Sequence, residues 1–357
     1  MWFTDTVSLG VYVHIPFCAS RCDYCAFATW TDRHHLASEY LDACRTDLER
    51  ALALRSRPVT SVFVGGGTPT QVDPHHLGAV LDVIPLADGA EVTVECNPDD
   101  VTAELLMALR SHRVNRVSLG VQSMDSEVLH ALGRRHDPDG VQRAVDAIAS
   151  VGFASFNLDL IYGANIESLA QWEHTLTAAL ALDPPHISAY GLTVEAGTPL
   201  AAQSERWPDD DDQADKYELA DDLLGAAGLE NYEVSNWARP GHESVHNRLY
   251  WAQGDYVGVG CAAHSHESGR RWWNVRTPER YIELVQAGLS AESSAEVLDA
   301  DTRRVEGLQL ALRTREGVPR HALPDVGLEG FVEVRGERVV LTRRGRLMAN
   351  EVSLRLR

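Results

Sequence analysis

Cys18, Cys22 and Cys25 stand in a CxxxCxxC spacing near the start of a 357-residue chain. Thiolates are the usual ligands of iron–sulfur clusters, and three on one loop can hold three corners of a four-iron cubane. The fourth iron is then open to a small molecule. A zinc site is the competing reading, but zinc usually takes paired CxxC units closing a tetrahedron, and no second CxxC follows. Cys44, Cys96 and Cys261 are scattered and read as small buried hydrophobes.

Other segments carry polar groups that could serve such a site. Val11 to Phe17 is a short β-type run that delivers the cysteine loop. Ser61–Val64 is an apolar strand running into Gly65-Gly66-Gly67-Thr68-Pro69-Thr70, where missing Cβ atoms allow close backbone approach. Taken alone, that stretch is a tight strand-to-helix turn. Glu95 ends an alternating strand, Gln122 ends another, and Asp159 sits inside the apolar run Phe156–Gly163. A carboxylate there is costly unless bonded or paired, so Asp159 is equally a structural residue or a ligand contact. His246-Asn-Arg-Leu-Tyr250-Trp251 is the second stretch of note. In isolation, a histidine among aromatics is more often packing than a ligand.

The elements that must position these residues alternate. Strands beginning near 11, 61, 91, 116, 156 and 186 are separated by helical stretches, the pattern of a parallel α/β sheet. Catalytic and binding residues of such barrels lie at the C-terminal strand ends, where Glu95 and Gln122 fall. Six repeats favour a partial (β/α)6 barrel over a full one of eight. The acidic turn Trp207–Asp212 reads as a solvated cap on the helix that follows. From about Ala300, a helix, a hairpin turning at Arg335-Gly336-Glu337 and a final helix suggest a small winged-helix-like α+β domain. The expected division is 1–240 for the barrel, 241–298 for a connecting region carrying HNxxYW, and 299–357 for the C-terminal domain.

Composition is that of a globular protein, 44% hydrophobic and 24% charged. Asp and Glu exceed Lys and Arg by 52 − 32 = 20, giving a net charge of −20, which argues against nucleic acid and against general attraction to anionic lipid. A local apolar contact with a membrane and a homodimer both stay open. No leader-type or membrane-spanning run is evident, so a cytoplasmic location is expected.

CxxxC-x-aromatic-C after HIPF, with GGGTPT one helix later, resembles the radical S-adenosylmethionine (SAM) superfamily, in its coproporphyrinogen dehydrogenase branch. HNxxYW resembles the marker of the haem-chaperone relatives within that branch. The resemblance spans nearly the whole chain and implies a TIM-like radical SAM barrel. It implies a [4Fe-4S] cluster on Cys18, Cys22 and Cys25, with Tyr12, Gly66, Gly67, Thr68 and Glu95 around a cluster-bound SAM. Gln122, Arg134 and Asp159 match residues that hold a second SAM in the coproporphyrinogen enzyme; here they could serve a substrate instead. His246 is implied as a haem contact, with His264 and His266 as rivals. Where the coproporphyrinogen enzyme carries a further cysteine two residues past the third ligand, this chain has Phe27. That departure favours a haem chaperone without oxidase activity, delivering haem to recipients such as respiratory membrane enzymes. Oxygen-independent coproporphyrinogen III oxidation and radical SAM methyl transfer are the alternatives, and whether SAM is cleaved stays open.

Overall fold

The computed structural model describes residues 8–324 and 327–356. The first residues, read above for a leader, lie outside the described part. Six strands, β1 (Gly10–Ile15), β2 (Val59–Gly66), β3 (Leu86–Cys96), β4 (Arg116–Gln122), β5 (Ser155–Tyr162) and β6 (His186–Gly191), lie side by side in chain order. All five pairings between them are parallel. Helices α1 (Ala37–Ala53), α2 (Pro74–Asp82), α3 (Ala103–Ser111), α4 (Ser126–Ala131), α5 (Pro138–Val151) and α6 (Leu169–Ala181) fill the crossovers. The alternation expected from sequence is therefore present, and the reason is visible in burial. Val11, Val13 and Ile15 of β1 and Val62 and Val64 of β2 are fully buried, while Tyr12 and His14 alternate onto the other side.

Helix starts are set by local chemistry. Asp73, Thr102, Asp137 and Ser168 each accept a hydrogen bond from a first-turn amide, satisfying donors that have no partner within the helix. The acidic turn behaves as expected: Asp209 accepts from the Asp212 amide at the start of α7 (Asp210–Ala226).

The sheet is larger than six strands. A hairpin of β7 (Glu230–Glu233) and β8 (Asn236–Ala238) extends it antiparallel beyond β6. At the other edge, β9 (Tyr256–Val259) follows the short helix α8 (Val245–Trp251) and pairs parallel with β1. Then β10 (His264–Glu267) and β11 (Arg270–Asn274), α9 (Pro278–Gln286) and β12 (Glu292–Val297) complete a 12-stranded sheet. Segment 241–298, expected as a connector, is thus built into the main sheet. Sequence periodicity failed there because the strands are four to six residues long and rich in Gly, His and Trp. Tyr40 locks this edge to the barrel: its hydroxyl donates to the His14 carbonyl at 2.8 Å and accepts from the Cys261 amide at 2.8 Å.

The C-terminal unit has its own small core around Leu308, Leu312, Val318, Leu323, Val339 and Val352. It comprises α10 (Ala300–Leu312), the strands β13 (Val318–Pro319), β14 (Val332–Arg335) and β15 (Arg338–Leu341), and two short helices, α11 (Arg343–Leu347) and α12 (Ala349–Ser353). Strand order is β13-β15-β14, and Arg335 pairs with Arg338 across the expected turn. Arg343 and Arg346 tie the unit to α7 through Asp221, at 2.7 and 2.6 Å.

Candidate cluster and cofactor site

The parallel strands end on a cavity of about 480 Å³. Cys18, Cys22 and Cys25 line it from the loop after β1. Gly66, Gly67 and Thr68 border it at and just past the end of β2, with Glu95 near the end of β3, Gln122 at the end of β4, Asp159 from β5 and Tyr190 from β6. Arg134, from the turn between α4 and α5, completes the set. Of the residues singled out from sequence, the three cysteines, Gly66, Gly67, Thr68, Glu95, Gln122, Arg134 and Asp159 meet here, whereas Tyr12, His246, His264 and His266 do not line it.

The loop is held by backbone and by one buried histidine. The Cys18 amide donates to Trp30 O and the Trp30 amide to Pro16 O, closing the loop at its base. His14 Nε2 donates to Ala28 O at 2.9 Å, which leaves Nδ1 to accept from the Tyr12 hydroxyl at 3.0 Å. Burial keeps His14 neutral by lowering its pKa. His14 was visible only as part of the HIPF motif; its pinning of a carbonyl fourteen residues on carries no local sequence signal. Tyr12 lies on the interior face of β1 beneath the cavity, stacked near Phe63.

The glycines meet protein rather than open space. Gly67 and Thr68 amides donate to Ile15 O and Phe17 O at 2.7 and 2.8 Å, so this segment continues the pairing with the cysteine loop. A Cβ on Gly67 would lie 2.7 Å from both of those carbonyls and 3.1 Å from Cys18 Sγ. Gly66 has φ +108°, and a Cβ there would meet His14 Nδ1 at 2.3 Å. Close approach is needed, as expected, but by the cysteine loop itself.

Two of the three sulfurs receive side-chain hydrogen bonds, from Thr68 Oγ1 to Cys18 and from Arg134 Nη1 to Cys22, each at 3.6 Å. Arg134 is anchored on Asn97 Oδ1 and, at 3.0 Å, on Gly120 O. Burial raises the Cys18 and Cys25 thiol pKa values, so ionisation in place favours a compensating cation. This donor set fits a cubane. Three thiols on one wall suit one thiolate on each of three irons, and a guanidinium beside Cys22 offsets thiolate charge.

Glu95 Oε2 accepts from the Gly66 amide at 3.1 Å. Burial, reinforced by Asp159, pushes its carboxyl up to about 8. Asp159 accepts from Ser118 Oγ and Asn157 Nδ2, both at 2.8 Å. Burial raises its pKa too, against the pull of those bonds. Asp159 is therefore both bonded into the wall and exposed to the cavity, so each of its two readings has support. A cavity floored by two carboxylates suits a cationic amino group. Gln122 has φ +65°, and the β4–β5 register shifts between Gly120 and Gln122. That bulge stores backbone strain to hold Gln122 at the cavity wall.

His246, implied by the resemblance as a haem contact, lies outside this cavity. Helix α8 packs under the start of β2, where His246 is fully buried. Its Nδ1 is bonded to Ser61 Oγ at 3.0 Å and its Nε2 to the Tyr250 hydroxyl at 2.8 Å. Its ring stacks on Phe63, and burial drives its pKa down to about 3. Of the rivals, His266 is buried with Nδ1 on Gly254 O at 2.9 Å, while His264 is exposed and stacks on Trp273. The motif is split by the helix: Tyr250 turns inward with His246, and Trp251 faces a different cavity.

A radical SAM superfamily model matches residues 12–179. The heme chaperone HemW of Mycobacterium tuberculosis is 40% identical over 363 residues, covering 96% of this chain and 93% of that one. This chain belongs to the HemW branch of the radical SAM superfamily. The Bacillus subtilis heme chaperone HemW is 33% identical, with 96% and 97% covered, and that of Escherichia coli is 37% identical, with 87% and 84% covered. Among solved structures, coproporphyrinogen III oxidase (HemN) from Escherichia coli superposes with a TM-score of 0.84 at 24% identity, over 97% of this chain and 89% of that one. The fold is thus the TIM-like radical SAM fold that the resemblance implied, and the strand–helix alternation agrees with it. No helix among the described residues is long and apolar enough to cross a membrane.

Proposed function

We propose that the protein is a haem chaperone that carries a [4Fe-4S] cluster and SAM and passes haem to haem-dependent proteins, respiratory membrane enzymes among them. The observation that carries this reading is the likeness to heme chaperones along 96% of the chain, together with Phe27. That side chain is 65% exposed at the cavity mouth, where the oxidase resemblance calls for a thiol.

Cys18, Cys22 and Cys25 would hold the cluster. When bound, it supplies one-electron reduction of a ligand at its open iron. The chain's own residues bind and orient. Glu95, set by the Gly66 amide, accepts the ligand's amino group and ionises as it does so. Arg134 positions Cys22, and Asp159 and Gln122 face the remainder of the ligand. Tetrapyrrole is cargo, so turnover to protoporphyrinogen is not expected.

The test is anaerobic titration of the reconstituted protein with haem, followed by absorbance, beside an assay for coproporphyrinogen III consumption. Saturable binding near one equivalent with no consumption supports the reading. Consumption of coproporphyrinogen, or no specific haem binding, overturns it.

A further inference from the structure

A second cavity, of about 570 Å³, opens between the end of α8, the β10–β11 turn and α10. It shares no lining residue with the cysteine cavity. One face of α10 forms a wall, since Ala300, Arg303, Gly307 and Leu308 recur at helical spacing. Ala300 and Gly307 leave the volume; Leu308 and Leu298 make it apolar. Trp251, the last residue of the HNxxYW motif, faces them.

The polar groups in this wall are donors. The Arg303 side chain has no ion pair or hydrogen bond among the described residues, and its stem packs beside Gly269. Arg304 lies 3.8 Å from Asp301 and has a further partner, so a ligand carboxylate would join or displace existing contacts there. Gln253 Nε2 is buried without an acceptor. In a chain of net charge −20, no carboxylate among the described residues lines this cavity. An apolar slot with an indole face and two guanidiniums suits a large flat ring bearing carboxylates at its edge. The volume is more than a simple aliphatic acid would fill.

We propose that this second cavity seats a tetrapyrrole dicarboxylate, its ring against Trp251 and its carboxylates on Arg303 and Arg304. The proposal rests on the haem-chaperone reading and adds the place of the cargo. No histidine or cysteine among the described residues lines the wall, so the site holds the macrocycle by ring and carboxylates, not through the metal. The cargo then sits apart from the cluster, with His246 on the barrel side of α8 and Trp251 on its cargo side.

The test uses the full chain with its cluster reconstituted, titrated with haem and with iron-free protoporphyrin IX. Wild type is compared with Arg303→Glu/Arg304→Glu and with Ala300→Trp, an exposed first-turn position whose indole would occupy the cavity. Iron content and circular dichroism report folding. The expected result is that both porphyrins bind wild type within a few-fold of each other and that both variants weaken them at least tenfold with unchanged iron content. Wild-type affinity in both variants, or binding of haem but not of iron-free porphyrin, overturns the site while leaving the chaperone reading intact. Failure of wild type to bind either porphyrin overturns both.

Discussion

Glu95 concentrates the electrostatics of the cysteine cavity. Its carboxyl, pushed up to about 8 by burial and Asp159, holds a proton in the folded state that the unfolded chain has released. Between its ordinary value near 4.5 and about 8, the folded state binds more protons, so stability falls as pH rises through that window. Glu95→Gln should flatten this slope in cofactor-free protein, read by urea unfolding at pH 6 and pH 8; an unchanged slope would place the charge elsewhere. Gly66 gives the second residue-scale prediction. Gly66→Ala combines a left-handed φ with a clash on His14, and should cost about 1–3 kcal/mol and loosen the cysteine loop. Denaturation midpoints and retained iron measure both. The cysteine spacing and the strand-end polar residues were legible because they are local patterns. His14 and the pairing of Gly67 and Thr68 with the loop were not, since their partners are distant in sequence.

At the scale of elements, α8 is the piece whose reading changed most. His246, Tyr250 and Phe63 plug the barrel beneath the strand starts, and the two bonds on His246 hold the helix in place. His246→Ala leaves a hole and an unpaired Ser61 hydroxyl, and should destabilise by about 2–4 kcal/mol while leaving cluster iron unchanged. Unfolding curves with parallel iron analysis check this; loss of iron without loss of stability would contradict it. Acid should act in the same place. His246 is neutral when folded, and the unfolded chain takes up a proton below about 6.5, so its contribution is lost as pH falls toward about 3. A short motif in sequence could not show that a single helix divides it, with His246 turned to the barrel and Trp251 to the second cavity.

Over the whole molecule, the six central repeats were readable because strand and helix periods alternate over long, well-capped segments. The strands added at both edges were not, because short strands leave too few residues to show a period. The C-terminal unit has a separate core and rests on α7 through Asp221. Arg343→Ala/Arg346→Ala should weaken that attachment by about 1–3 kcal/mol, seen as earlier proteolytic cleavage ahead of α10 with the barrel intact. A cleavage rate equal to wild type would show that apolar contacts suffice.

A cluster with one open iron at the strand ends is the centre of the proposed function. Its most direct test is iron and acid-labile sulfide analysis after anaerobic reconstitution, with electron paramagnetic resonance of the reduced protein before and after adding SAM. We predict about four irons and four sulfides per chain, lost in Cys22→Ala, and a spectrum that changes when SAM binds. A single tightly held zinc, or a cluster whose spectrum ignores SAM, would contradict it.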